Sequence, residues 1–267
     1  MTRVYEDFIS RFGARADFQR NVVQIYVTIG DAYARRNNIR ESVRQYEKAI
    51  QFFNAHPAIS TDFLANNLAA KAQFLLVDME YDSYRAVRIA GQNPQAMARS
   101  FSDKEARMKA VIESFKKVKQ FRSPEYYLAS NCRSAQAVVL FADALFEAPV
   151  PRDLQRLGEE YVLEYQQQLA DQARPYYEAA AKTLLQAFEE AKEAKLFGSP
   201  WMKRLIETLN HPNLQNFVGG GVKMRKPEKT RFRRSVTSPL PLDNGRPHER
   251  VKPEESPAAA PGATPAS

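Results

Sequence analysis

The chain of 267 residues carries eight excess positive charges and an ordinary apolar share of 44%, enough for a sizeable core in one large or two small domains. No run of about 18 apolar residues occurs, which excludes a membrane-spanning helix, and a single cysteine, Cys132, excludes an internal disulfide framework. The charge is concentrated: residues 219–267 hold ten Lys or Arg against five Asp or Glu, so the rest is mildly basic and gives little support to nucleic-acid binding by a folded part.

Taken in order, "RVYEDFISRFG" predicts a helix with Val4, Phe8 and Phe12 on one face, widened by Tyr5 and Ile9. Phe18 is placed to pack at the junction that follows. The exposed aromatics suit an interior start, the second helix of a repeat whose first helix is missing, which something else must cover. Val22 to Pro57 then predicts two antiparallel helices over 22–35 and 39–55, with Asn37 and Asn38 at the turn. Tyr26 leads the pair, Ile29, Gly30 and Tyr33 are spaced as L-G-x-x-Y, and Ser42, Tyr46 and Ala49 follow as small-x3-aromatic-x2-Ala. These spacings resemble the tetratricopeptide repeat, in which a small residue lets one helix approach its partner and large apolar groups fill the gap. Ser42 stands where alanine is commoner, a small-for-small change. The match covers one full repeat.

Beyond Pro57, "STDFLANNLAAKAQFLLVDMEYDSYRAV" predicts a long helix capped by Ser60 or Thr61, with Phe63, Leu64, Leu68, Ala72, Leu75 and Leu76 inward and Tyr81 and Tyr84 continuing the face. Ala65, Ala69, Ala70 and Ala72 suit close helix packing. Gly91 and Pro94 predict a loop, and the Ser102 to Glu105 capping-box spacing starts the next helix. Met108, Val111, Ile112, Phe115 and Val118 form its apolar stripe, with Lys104, Lys109, Lys116, Lys117 and Lys119 on a solvated side. Ser123 and Pro124 open a helix that ends before Pro149 and packs through Tyr127, Ala135, Val138, Val139, Ala142, Leu145 and Phe146. Cys132 falls inside it as a buried structural thiol. Helicity resumes after Pro151 and breaks at Pro175. A further helix follows, with Tyr177, Leu184, Leu185, Phe188 and Ala191 inward, and ends at Gly198. Ser199 and Pro200 open a short last helix whose Trp201, Leu205, Ile206 and Leu209 cover the end of the array. The expected fold is all-α: tetratricopeptide-like antiparallel helix pairs in a short right-handed solenoid over 1–215.

Composition changes at Gly219. Eight of the sixteen prolines and a single aromatic, Phe232, lie beyond it, so too little apolar surface remains to offset chain entropy, and 216–267 reads as a disordered, basic, Pro/Ala-rich tail. Arg225, Lys226, Lys229, Arg231, Arg233 and Arg234 cluster there, able to attract anionic lipid, nucleic acid or an acidic protein through salt-sensitive contacts.

"AAKAQFLLVDMEYDSY" (69–84), "YYLASNCRSAQAVVLFADALFEAPVP" (126–151) and the segment 160–197 followed by Trp201 resemble the C-terminal helical part of large, divergent tetratricopeptide proteins of myxobacteria, among them the repeat lipoprotein of the adventurous gliding-motility machinery. The resemblance covers roughly 1–215. It implies a bacterial envelope scaffold that holds partner proteins at a periplasmic or outer-membrane-associated complex, with no catalytic residues to carry over. The start "MTRVYEDFIS" has no signal peptide and no lipobox cysteine, so a complete chain would be cytoplasmic.

Motifs for chemistry are sparse. His56 and His211 precede prolines at helix ends, where a cation meets the negative end of the helix, and neither they nor His248 has a partner at metal-ligand spacing. Gly219, Gly220 and Gly221 follow no strand and precede no Gly-Lys-Ser/Thr, so they read as a joint. Glu189, Glu190 and Glu193 alternate with Lys192 and Lys195 on a solvated face. No cofactor is expected. The expected function is a non-catalytic protein-interaction scaffold with Gln24, Thr28, Asp31 and Arg35 lining a groove on the first helix of the complete repeat. The rival expectations are a nucleic-acid- or anionic-lipid-associated module acting through the tail, and a structural subunit docking on a longer repeat array.

Overall fold

The computed structural model describes residues 2–91 and 93–218. The basic cluster from Arg225 to Arg234, Phe232 and His248 lie outside the described residues, as does the tail from 219 onward. Within them every regular element is helical and no strand occurs. No described helix is long and apolar enough to cross a membrane.

α1 (Thr2–Phe12) lies against the start of α2 (Gln19–Arg35), with Phe8, Phe12 and Phe18 meeting ring to ring at centroid distances of 5.1–5.7 Å. α2 ends because Asn37 adopts a left-handed backbone (φ 57°), which turns the Asn38 amide back onto the Tyr33 carbonyl. The Asn38 side chain then caps α3 (Ile39–Ala55) by accepting from the Glu41 amide. Val23 and Val27 of α2 and Tyr46, Ala49 and Phe53 of α3 are buried in one core.

α4 (Phe63–Arg85) begins later than Ser60 or Thr61 would place it. Pro57–Thr61 forms a 3₁₀ turn, and Asp62 caps the helix from the Ala65 amide at 2.9 Å. Its alanine row, Ala65, Ala69, Ala70 and Ala72, is buried, together with Phe74, Val77, Tyr81 and Tyr84. Phe63 and Leu64, expected inward, are exposed because they belong to the first turn, before neighbouring helices close over the chain.

α5 (Pro94–Lys116) starts two turns ahead of the Ser102 signal: Asn93 is the cap, accepting from the Ala96 amide at 2.8 Å, and Ser102 lies inside the helix. Met108, Val111 and Phe115, with Val118 just beyond, are buried. Ser123 caps α6 (Pro124–Phe146), whose Ala129, Cys132, Ala135 and Ala142 are enclosed; Phe146, in the last turn, is exposed.

The helix break in the C-terminal part falls at Gly158, not at Pro175. Gly158 has φ 125°, a region open to glycine, and it separates short α7 (Arg152–Leu157) from α8 (Glu159–Glu193). α8 runs 35 residues straight through Pro175. Proline costs the helix one hydrogen bond, yet Pro175 and Asp171, whose carbonyl loses that bond, are exposed, while Leu169, Ala173, Tyr177, Ala180 and Ala181 bury the other side. Gly198 does not end α8 either. Lys195 takes the left-handed position (φ 57°), and the Leu196 amide returns to the Ala191 carbonyl. α9 (Pro200–Leu209), capped by Ser199, buries Met202, Leu205, Ile206 and Leu209. The packed chain continues through Phe217 and Val218.

Side-chain pairings fix directions. Arg20–Asp62 and Asp31–Lys71 run α2 parallel to α4; Asn67–Ser123, Asp78–Arg133 and Tyr84–Ala137 run α4 parallel to α6; Arg133 on Trp201 and Gln136–Thr208 run α6 parallel to α9. α3, α5 and α8 return antiparallel between them: Tyr26 meets Phe52 and Asp31 meets Tyr46, Phe74 meets Phe115 and Tyr84 meets Lys104, and Asp143 meets Tyr177 while Leu128 and Ala187 line one recess.

Candidate functional site

Gly30 is where α2 and α3 come closest: a methyl carbon there would lie 2.6 Å from the Tyr46 ring. Ser42 Oγ donates to the Gly30 carbonyl at 3.0 Å and Tyr46 Oη donates to Asp31 Oδ1 at 2.7 Å, so the pair is pinned on both sides of the contact. Burial, reinforced by the Asp31 carboxylate, pushes the Tyr46 hydroxyl well above its ordinary range.

The four groove candidates on α2 are divided. Gln24, Thr28 and Arg35 are exposed, and Thr28 Oγ1 turns back to the Gln24 carbonyl at 2.8 Å. Asp31 is half-buried, and both its oxygens are engaged within the fold, Oδ1 by Tyr46 and Oδ2 by Lys71 Nζ at 2.6 Å. It ties α2, α3 and α4 together. Thr28 and Arg35 line a recess of about 200 Å³ that Tyr5 of α1 closes with Tyr33 and Arg36.

Sequence reasoning missed a second polar tie of this kind, between α4 and α6. Arg133 of α6 grips Asp78 of α4 with two nitrogens, Nε to Oδ1 at 2.6 Å and Nη2 to Oδ2 at 3.1 Å. Its guanidinium lies 4.8 Å from the Tyr81 ring centre and 5.2 Å from that of Trp201, and Nη1 donates to Gln136, which donates to Thr208. Burial pushes the Asp78 carboxyl up, and Arg133 pulls it back. Residues 55 apart carry no local signal of such a pairing. Cys132, beside Arg133, is enclosed, and burial moves its thiol up to about 11, away from nucleophilic use at neutral pH.

A large concavity lies elsewhere, an open cleft of about 1090 Å³ where the end of α4, the linker 86–91, α5 and the end of α6 meet. Arg85, Arg88 and Lys104 line it, with Asp82, Asp143 and Glu147. Lys104, expected on a solvated face, is 4% exposed; its ammonium donates to the Val87 carbonyl and sits 5.2 Å from the Tyr84 ring centre. The linker folds back over α5 and covers it. Burial, then the Arg88 charge, lowers the Lys104 pKa.

Asp143 also anchors the last segment: Oδ1 accepts from Tyr177 at 2.6 Å and from Asn213 at 3.2 Å, and Oδ2 lies 3.5 Å from His211 Nε2. His211 therefore faces a carboxylate, whereas His56 Nδ1 lies 2.7 Å from the Phe52 carbonyl at the end of α3. Among the described residues no group of three or more His, Cys, Asp or Glu is gathered to hold a metal ion. Comparison with family models, curated proteins and solved structures finds no match to this chain.

Proposed function

We propose that the chain is a tetratricopeptide-like scaffold: three stacked helix pairs, α2 with α3, α4 with α5 and α6 with α8, closed by α9, that binds a protein segment and catalyses nothing. The observation that carries this reading is the alternation of helix directions. α2, α4, α6 and α9 lie parallel in sequence order with an antiparallel helix returning between each, which is how repeated helix pairs build a right-handed superhelix with a continuous concave face. The Gly30–Tyr46 contact supports it at the level of one repeat. On this reading α1 is the second helix of a preceding pair, and its Phe8, Phe12 and Phe18 cluster is a stacking surface. The resemblance of 69–84, 126–151 and 160–197 to myxobacterial envelope repeat proteins would make the partner a component of an envelope-associated assembly.

The groove contacts available to a ligand on α2 are Gln24, Thr28 and Arg35, since Asp31 is held by the fold. The test is affinity capture on the full chain at two salt concentrations with nuclease, comparing it with a triple change of Gln24, Thr28 and Arg35 to alanine. A defined protein retained by the parent after nuclease and lost in the triple variant is the expected result. Nucleic acid recovered alone, and lost when the charges at Arg225, Lys226, Lys229, Arg231, Arg233 and Arg234 are removed, would sink the scaffold in favour of the tail. Recovery of a longer repeat protein, insensitive to the triple change, would identify a subunit docking through α1.

A further inference from the structure

We propose that the cleft between the ends of α4 and α6 binds a phosphate-class anion, inorganic phosphate or a small phosphomonoester, through Lys104, Arg88 and Arg85. The site goes beyond the scaffold reading and does not depend on it, because its lining shares no residue with the groove candidates on α2.

The starting point is a buried cation without a counter-charge. An ammonium has three protons to donate. Among the described residues Lys104 places one on the Val87 carbonyl and makes no ion pair; the Tyr84 ring face offers only weak compensation. Removing an ammonium from water without an opposite charge is costly, and a second cation, Arg88, lines the same cleft. Arg85 stands on the same wall, and neither arginine is ion-paired among the described residues, although both are exposed and free to turn inward. Such a cluster is stabilised by an anion that each member can reach.

The carboxylates at the rim do not serve that purpose. Asp143 has its oxygens directed to Tyr177, Asn213 and His211. Asp82 and Glu147 form no ion pair with any of the three cations. Asp143 lies in α6 and Glu147 caps its end, and Asp82 lies in α4 one turn before Arg85, whereas Arg88 and Lys104 come from the linker and α5, so an anion is drawn to the linker side. Two guanidinium forks and an ammonium match a tetrahedral anion with several oxygens and more than one charge better than a single carboxylate, which offers two oxygens. The cleft, about 1090 Å³, is far larger than a phosphate and leaves room for an ester substituent.

The test is a residue-resolved NMR titration of the isotope-labelled full chain with inorganic phosphate and, separately, glycerol phosphate, each against chloride at matched ionic strength. Residue resolution matters because phosphate stabilises folded proteins generally by exclusion and the basic segment 225–234 also attracts anions. Saturable shifts at the Val87, Arg88 and Ile89 amides are expected, weakened about tenfold by Arg88→Gln and lost in Lys104→Gln. Arg44→Gln, on exposed α3 surface beside Glu41, should leave them unchanged. Arg88 is exposed, so its variant keeps the test decisive even if Lys104→Gln unfolds. Tighter binding of glycerol phosphate assigns an ester as ligand, and tighter inorganic phosphate assigns the free ion. Absence of saturable shifts in the linker, or shifts indifferent to Arg88→Gln, overturns the site.

Discussion

Replacing Gly30 by alanine sets two known effects against each other. In an exposed helix interior that change should stabilise by about 1 kcal/mol, because alanine loses less backbone freedom. Here the new methyl carbon would stand 2.6 Å from one Tyr46 ring atom and 2.7 Å from the next, so the ring must retreat by roughly 1 Å to reach ordinary carbon contact. Tyr46 is 1% exposed and its hydroxyl is tied to Asp31, so it cannot swing aside. The cost falls in the upper part of the ~1–3 kcal/mol typical of overpacking, and the net effect is a destabilisation of about 1–2 kcal/mol. Gly30→Leu, with more volume to place, should exceed it. The assay is urea unfolding followed by far-ultraviolet circular dichroism, in the parent and in a Tyr46→Leu background. With the ring gone the methyl has space, so the sign should reverse and Gly30→Ala should stabilise; the cycle then shows a coupling of about 2 kcal/mol. Gly30→Ala stabilising in the parent itself would refute the close approach of α2 and α3.

Three further outcomes are expected. Burial holds Tyr46, Tyr84, Tyr126 and Tyr177 far above the ordinary value near 10 and moves Tyr81 and Tyr176 up to about 12. Raised folded values mean stability complete below about pH 10 and lost as pH climbs toward 12, only partly offset by Lys104 and Lys119, whose lowered values act in the opposite direction; phenolate absorbance of these tyrosines should therefore rise together with unfolding and not before. Arg133→Met should cost about 2–3 kcal/mol by leaving Asp78 unpaired, should recover on acidification as the already raised Asp78 carboxyl takes its proton, and should be largely rescued by adding Asp78→Leu, all read from denaturation midpoints. Lys195→Gly should raise the melting temperature, since a left-handed backbone costs a side-chain-bearing residue about 1 kcal/mol, while Lys192→Gly, inside α8, should lower it.

What the sequence made legible was local. The α2–α3 pair, its turn at Asn37 and the caps at Ser123 and Ser199 depend on residues within a few positions of each other. Two local signals nevertheless competed. Asn93 displaced Ser102 as the α5 cap because Pro94 is already suited to a first turn, and Asp62 displaced Ser60 and Thr61 once Pro57 had set a 3₁₀ turn. At Pro175 and Lys195 packing overrode propensity: one side of α8 is buried both before and after the proline, and Leu196 closes the last turn whatever residue takes the left-handed position. Lys104 was misread because its cover is the linker, and no periodicity within α5 reports a segment folding back from outside it. The cleft has the same origin, being assembled from α4, α5 and α6 by residues tens of positions apart.

The polar groups divide the same way, and the division bears on how such an array can bind anything. Asp31, Lys71, Asp78 and Arg133 look on paper like surface charges suited to recognition, yet they join α2 to α4 and α4 to α6. Each pair spans successive parallel helices, so it helps to fix the offset of one helix along the next, beside the buried Phe74, Tyr81 and Tyr84 of α4. Half-buried ion pairs add little net stability, but a slip by one turn would part both partners, and that penalty selects the register. On the proposed scaffold reading, recognition is left to side chains that the stacking does not use: Gln24, Thr28 and Arg35 on α2, and Arg85 and Arg88 at the cleft. A ligand that needed Asp31 or Arg133 would have to break the register of the helices presenting them, so the free groups beside each pair are where binding and folding can be changed independently.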